Sequence, residues 1–220
     1  MIDISERIFD MKTDIFPLDR MISLETVYST FLEYIIKEKD SSIFFRHRKY
    51  QRLREGYFSL FVAISLDRST GKKHYLLFPS EPDNDVNFMF WTGTCNAQAE
   101  RFSGYAFDVK EFTDFSKSFK DFISQKIIPK ISIYNLIIGT YKNIYGNDIK
   151  ILIDHLQKKD TEAKIWLVGS PTENKNYTIG KVTILSKDGI VSDEEIDLNK
   201  EIDKNSKGII YHDIIRFKKQ

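Results

Sequence analysis

The sequence predicts a mixed-sheet α/β sandwich: one helix, then antiparallel strands, then helix and strand in alternation. Three observations carry this. The chain has 220 residues, 41% of them hydrophobic and 14% aromatic, which is enough to build a sizeable core. The strand-like runs of the first half are joined by short turn signals, so they pair antiparallel. Those of the second half are separated by helical patterns, so they pair parallel.

The first helix is predicted from about Ser23 to Lys39, because Leu24, Val27, Tyr28, Phe31 and Ile35 recur at three- and four-residue steps and form one stripe. The run Tyr57–Leu66 is short and rich in aromatic and branched residues. It precedes the turn signal Asp67-Arg68-Ser69-Thr70-Gly71 and the run His74–Phe78, so the two runs read as a hairpin. Two further strands follow, Val86–Trp91 and Tyr105–Phe112. Thr113 reads as the N-cap of the next helix, with Asp114 in its first turn, a stripe of Phe115, Phe119, Phe122 and Ile123, and Pro129 as its limit. Tyr134–Thr140 reads as a buried strand, Asn147 as the cap of a helix with stripe Ile149, Leu152, Ile153 and Leu156, and Ala163–Gly169 as the closing strand.

Gly (10) and Pro (5) are scarce, and no linker divides the chain. We therefore expect one core domain over 1–185 and a charged extension over 186–220 that packs on or near it. Its acidic stretch at 192–203 offers a docking face for a partner protein. Lys+Arg 33 against Asp+Glu 32 leaves a net charge of +1, so any nucleic-acid role must come from a local patch. A single cysteine, Cys95, excludes a disulfide framework and a Cys-based zinc site. The four histidines (His47, His74, His155 and His212) have no ligand spacing. The opening Met1-Ile2-Asp3-Ile4-Ser5-Glu6 is acidic where a signal peptide would be basic, and no apolar run has the length of a membrane helix. A cytoplasmic protein with no membrane partner is expected.

One constellation carries chemistry. Glu81-Pro82-Asp83-Asn84-Asp85 leads into one strand, and the next strand carries Asp108-Val109-Lys110. Side chains alternate along a strand, so Asp108 and Lys110 share a face while Phe107, Val109 and Glu111 point the other way. An acid from each of two neighbouring strands, about 4.8 Å apart, could contact one cation with the lysine alongside. Two carboxylates and water suit Mg²⁺, with Mn²⁺ as a substitute, and such a site can hydrolyse a phosphodiester. Acid-x-Lys also occurs at Asp10-Met11-Lys12, Asp148-Ile149-Lys150 and Glu173-Asn174-Lys175, but only Asp108-Val109-Lys110 lies centrally in a predicted strand. The plain alternative is a solvent-facing strand on which Asp108 and Lys110 merely pair.

On Pro82-Asp83 or the shifted Asp85, on Asp108-Val109-Lys110, and on the element order from Ser23 to Gly169, the sequence resembles the PD-(D/E)XK, or restriction-endonuclease-like, nuclease superfamily. The resemblance implies a restriction-endonuclease-like sandwich that cleaves DNA, RNA less so, with Asp85 or Asp83 and Asp108 as metal ligands and Lys110 at the attacking water. Asp85 directly abuts the strand and is the better placed of the two acids. Some members add a Glu from the first helix, for which Glu25 and Glu33 are the candidates. On a helical wheel Glu25 lies beside the edge of the apolar stripe and Glu33 opposite it, which favours Glu25. Small nucleases of this kind commonly serve restriction or anti-phage defence, and many act as homodimers.

The densest basic run, Arg46-His47-Arg48-Lys49-Tyr50-Gln51-Arg52-Leu53-Arg54, is the candidate nucleic-acid contact, with Arg46, Arg48, Lys49, Arg52 and Arg54 on the phosphate backbone. Its plain alternative is a solvated face. Lys117, Lys120 and Lys126 read as the wet face of the helix after Asp108. Two other function classes compete with the enzyme: a non-catalytic adaptor or immunity protein built on the same scaffold, and a nucleic-acid binder without activity.

Overall fold

The structure, a computed structural model, describes residues 21–38, 41–71, 74–77, 88–92, 103–113, 118–131, 135–141, 146–169 and 177–202. After the two-residue strand β1 (Met21–Ile22), helix α1 (Leu24–Lys37) starts where Ser23 caps it: the Ser23 Oγ accepts from the Thr26 backbone N–H at 3.2 Å. Such a cap satisfies one of the amides that the first turn leaves without a helical acceptor. Val27, Tyr28 and Phe31 of the expected stripe are buried, and Leu24 and Ile35 pack beside them. A short helix α2 (Ser41–Arg46) and a 3₁₀ turn (Arg48–Tyr50) lead into α3 (Gln51–Thr70).

Helix α3 overturns the hairpin expected from Tyr57–Leu66. Every residue from Arg54 to Ser65 is buried, so the helix is apolar around most of its circumference. A buried helix of this kind shows no stripe, and its enrichment in aromatic and branched residues imitates a buried strand. The turn signal that follows is in fact a helix stop. Gly71 ends α3 in the left-handed region at φ 67°, and its N–H donates to the Asp67 carbonyl at 2.9 Å. The Asp67 carboxylate then accepts from the His74 backbone N–H at 2.7 Å and contacts the His74 Nδ1 at 2.6 Å, tying the helix end to β2 (His74–Leu77).

The remaining elements are β3 (Phe88–Thr92), β4 (Ser103–Phe112), α4 (Phe119–Phe122), β5 (Asn135–Thr140), α5 (Gly146–Lys159), β6 (Ile165–Gly169), β7 (Ile179–Ser186), β8 (Gly189–Asp197) and α6 (Leu198–Glu201). Among the described residues the sheet has eight strands, lying side by side in chain order. β4, β5 and β6 are mutually parallel, and every other neighbouring pair is antiparallel. The mixed α/β architecture is therefore as expected. β2 pairs with β1 and β3 and has no hairpin partner at 57–66.

Three details differ from expectation. Ser118, and not Thr113, caps α4, its Oγ accepting from the Asp121 N–H at 3.1 Å; residues 114–117 lie outside the described residues. α5 begins one residue before Asn147, which sits in its first turn. The boundary drawn at 186 falls inside a hairpin, since β7 and β8 pair along their length and β8 is the last strand of the same sheet.

The two faces of the sheet are covered differently. On one face α3 lies against the strands with α1 outside it, and Tyr57, Phe58 and Phe61 meet Phe107, Val109, Ile137, Trp166, Val182 and Ile196. Close approach is possible because β5 and β7 offer glycines there. A Cβ at Gly139 would stand 2.2 Å from Phe58, and one at Gly180 would stand 2.6 Å from Phe61. The opposite face is covered by α4, the turn that extends it and α5, around Leu136, Ile138, Ile165, Leu167 and Leu185.

Candidate active site

The alternation of β4 decides what its polar residues can do. Phe107 and Val109 enter the core under α3, so Asp108 and Lys110 point to the opposite face, in register with Leu136 and Ile138 of β5. Asp108 is 1% exposed, and the Lys110 Nζ donates to its Oδ1 at 2.5 Å. A buried carboxylate of this kind needs a cationic or hydrogen-bonding partner to remain charged.

A second ammonium group reaches the same carboxylate, and the sequence reading missed it. α4 continues without interruption into a π-helical turn, Ile123–Ile127, closed by the Ile128 N–H donating to the Ile123 carbonyl at 3.0 Å. The turn after it carries Lys130, whose Nζ lies 3.6 Å from the Asp108 Oδ2. Ile127 and Ile131, on either side of Lys130, are fully buried and anchor this turn in the second core. Pro129 does mark the end of the helical run, as expected, and it stands beside the lysine that matters. No local pattern singles out Lys130, because its approach to Asp108 depends on the extra residue of the π turn.

β3 lies directly beside β4, with Phe88 opposite Phe107, the neighbour of Asp108. Asp83 and Asp85, which precede β3 in the chain, lie outside the described residues, as do Cys95 and most of the loop between the two strands. Among the described residues, no three His, Cys, Asp or Glu side chains come together as a metal-holding group.

Glu25 stands in the first turn of α1 and is buried. That helix belongs to the layer over the face opposite Asp108, where its Tyr28 hydroxyl donates to Asn199 of α6, so the structure does not bring Glu25 to Asp108. Glu33, the other candidate, is exposed on α1 and pairs with Lys37.

The basic run is divided by burial. Arg46, Arg48 and Lys49 are exposed, on the end of α2 and the 3₁₀ turn, and the Lys49 Nζ sits 4.4 Å from the centre of the Tyr50 ring. The side chain of Arg52 lies outside the described residues. Arg54 contradicts the expectation of a phosphate contact. It is 4% exposed; its Nε donates to the Glu111 Oε2 at 2.6 Å, its Nη2 to Oε1 at 3.1 Å, and its Nη1 to the carbonyls of Phe44 at 2.6 Å and His47 at 3.1 Å. Its role is to fasten α2 and α3 to the end of β4. Burial raises the Glu111 carboxyl above the usual glutamate range, and the Arg54 guanidinium pulls the other way. Burial, with Glu111 nearby, also pushes the Tyr141 hydroxyl well above its ordinary value. This cluster occupies the α3 face, so Arg54 is not on the side of the sheet that Asp108 faces. Lys120 and Lys126 are exposed on the Asp108 side, as expected of a wet face, and Lys117 lies outside the described residues.

No helix of the described residues is long and apolar enough to cross a membrane. No family model matches the chain, and neither a curated protein nor a solved structure does.

Proposed function

We propose that the chain is a Mg²⁺-dependent nuclease of restriction-endonuclease-like fold that hydrolyses phosphodiester bonds in DNA. One observation carries the reading: a carboxylate buried in the middle of β4 with an ammonium group on the same face, 2.5 Å away, beside the strand that Asp83 and Asp85 lead into. The order of elements supports it as well, with the acid-x-Lys strand preceded by an antiparallel neighbour and followed by a helix and a parallel strand.

The donor chemistry fits a hard cation. Asp108 offers carboxylate oxygens, which Mg²⁺ prefers, and two of its partners, Lys110 and Lys130, are ammonium groups that a divalent ion can displace. Asp85 or Asp83 would complete the ligand set. When bound, the ion supplies charge stabilisation for the phosphate and a more acidic water. The chain's own groups do the rest. Asp108 would offer the cation an oxygen, and Lys110, released from it, would donate hydrogen bonds to the attacking water or a phosphate oxygen where negative charge develops.

The test is incubation of supercoiled plasmid with the purified protein in Mg²⁺, in Mn²⁺ and in EDTA. Nicked or linear product is expected with either metal and not with EDTA. Intact plasmid under all three conditions contradicts the reading and leaves Lys110 and Lys130 as ion partners of a buried acid in a scaffold protein.

A further inference from the structure

We infer that Lys130 and Lys110 form a two-ammonium clamp for one backbone phosphate of a nucleic acid, with Asp108 holding both ammonium groups in position until the phosphate arrives. The inference rests on the reading of this face as a phosphodiester site, and it assigns Lys130 a positioning role that the acid-x-Lys pattern does not contain.

Geometry is the first support. Asp108 is 1% exposed, whereas the Lys110 and Lys130 side chains are 23% and 28% exposed. Solvent therefore reaches the two lysine side chains and not the carboxylate, and an anion approaching this face meets the lysines before Asp108. Oδ1 takes Lys110 and Oδ2 faces Lys130, so one carboxylate spaces the two positive groups as a phosphate with two non-bridging oxygens would use them. The Lys130 contact, at 3.6 Å, is too long for a hydrogen bond, so its link to Asp108 is one of charge and tolerates a small shift of the ammonium. A lysine suits this task because it contacts phosphate as a mobile point charge.

The backbone under Lys130 is the second support. The π-helical turn at Ile123–Ile127 inserts an extra residue before the turn that carries Lys130, and such insertions are enriched at functional sites. In an unbroken α-helix, one residue fewer would rotate the following side chain by about 100°. The Lys130 N–H donates to the Ile127 carbonyl at 2.9 Å and the Ile131 N–H to the same carbonyl at 3.1 Å. The main chain is thus fixed while the lysine side chain reaches over β4.

Anisotropy titrations of a short fluorescein-labelled DNA duplex, in EDTA and over a range of KCl, test the clamp. Losing one phosphate contact makes the slope of log affinity against log salt shallower by about 0.9, equivalent to about eightfold weaker binding at roughly 0.1 M salt. Lys130→Gln is expected to show that change while remaining folded, and Lys130→Arg to keep the wild-type slope. A Lys130→Gln slope equal to wild type, a Lys130→Arg slope as shallow as that of Lys130→Gln, or a wild-type protein that does not bind the duplex overturns the clamp. Cleavage in Mg²⁺ is scored separately on the same proteins. Wild-type cleavage with an unchanged slope in Lys130→Gln removes the clamp and keeps the nuclease. A slope shallower by one contact in a protein that never cleaves removes the nuclease and keeps the clamp.

Discussion

Asp108→Asn is expected to lower Mg²⁺-dependent DNA cleavage by about 10³-fold or more while leaving the protein folded. The substitution keeps the shape of the side chain and an oxygen that can accept from Lys110, so packing under α4 and the π turn is preserved. It removes the negative charge that a divalent cation needs. The lysines left behind are partly solvent-exposed, so the change strands no ammonium in a dry core. Lys110→Met should cost about 10²- to 10³-fold, the range for removing one donor that stabilises developing charge. Initial rates on supercoiled plasmid, with thermal melts on the same preparations, check both. A properly folded Asp108→Asn that cleaves within tenfold of wild type contradicts the assignment.

The largest effect on stability should come from Arg54→Met, a loss of about 3–5 kcal/mol at neutral pH. The guanidinium holds both oxygens of a buried carboxylate and two backbone carbonyls, so its removal leaves Glu111 charged in the core and the ends of α2 and the 3₁₀ turn unfastened. The sign of the pH dependence follows from the shift. The folded-state value of Glu111 is already raised, so its contribution to stability is fully present below the unfolded value and is lost as pH rises through the folded one. Without Arg54 the folded value climbs further, and the deficit of Arg54→Met is larger at neutral pH than in mildly acidic buffer. Urea unfolding at two pH values measures this. Arg54→Met/Glu111→Gln should recover much of the loss, because the pair is removed together. A deficit independent of pH, with no recovery in the double variant, would show that packing and not charge sets the effect.

What was legible in the sequence follows from which physical pattern each element leaves. α1 and α5 were readable because each buries one stripe and exposes the rest: Val27, Tyr28 and Phe31 in one, Leu152 and Leu156 in the other. β4 was readable because its polar and apolar residues alternate, and that alternation puts Asp108 and Lys110 together as expected. α3 was not, because a helix buried on nearly all sides has no polar face to set its period. β8 looked like a charged tail because its acids are satisfied by residues distant in sequence: Glu194 accepts from Arg68 at 2.8 Å, and Asp193 pairs with Lys181 at 2.8 Å. Arg54 was misread for a related reason, since a run of charges carries no information about which member is buried. Lys130 was invisible because a π turn, not a spacing rule, delivers it to Asp108.

The proposed function requires the Asp108 carboxylate to help hold a divalent cation beside an ammonium group. Titration of Mn²⁺ into the protein, followed by the loss of the free-ion electron paramagnetic resonance signal, tests it with no substrate present. Wild type is expected to take up Mn²⁺, with Mg²⁺ competing for the same site, and Asp108→Asn to take up none over the same range. A wild-type protein that leaves the Mn²⁺ signal unchanged, or an Asp108→Asn variant that binds as tightly as wild type, would contradict it.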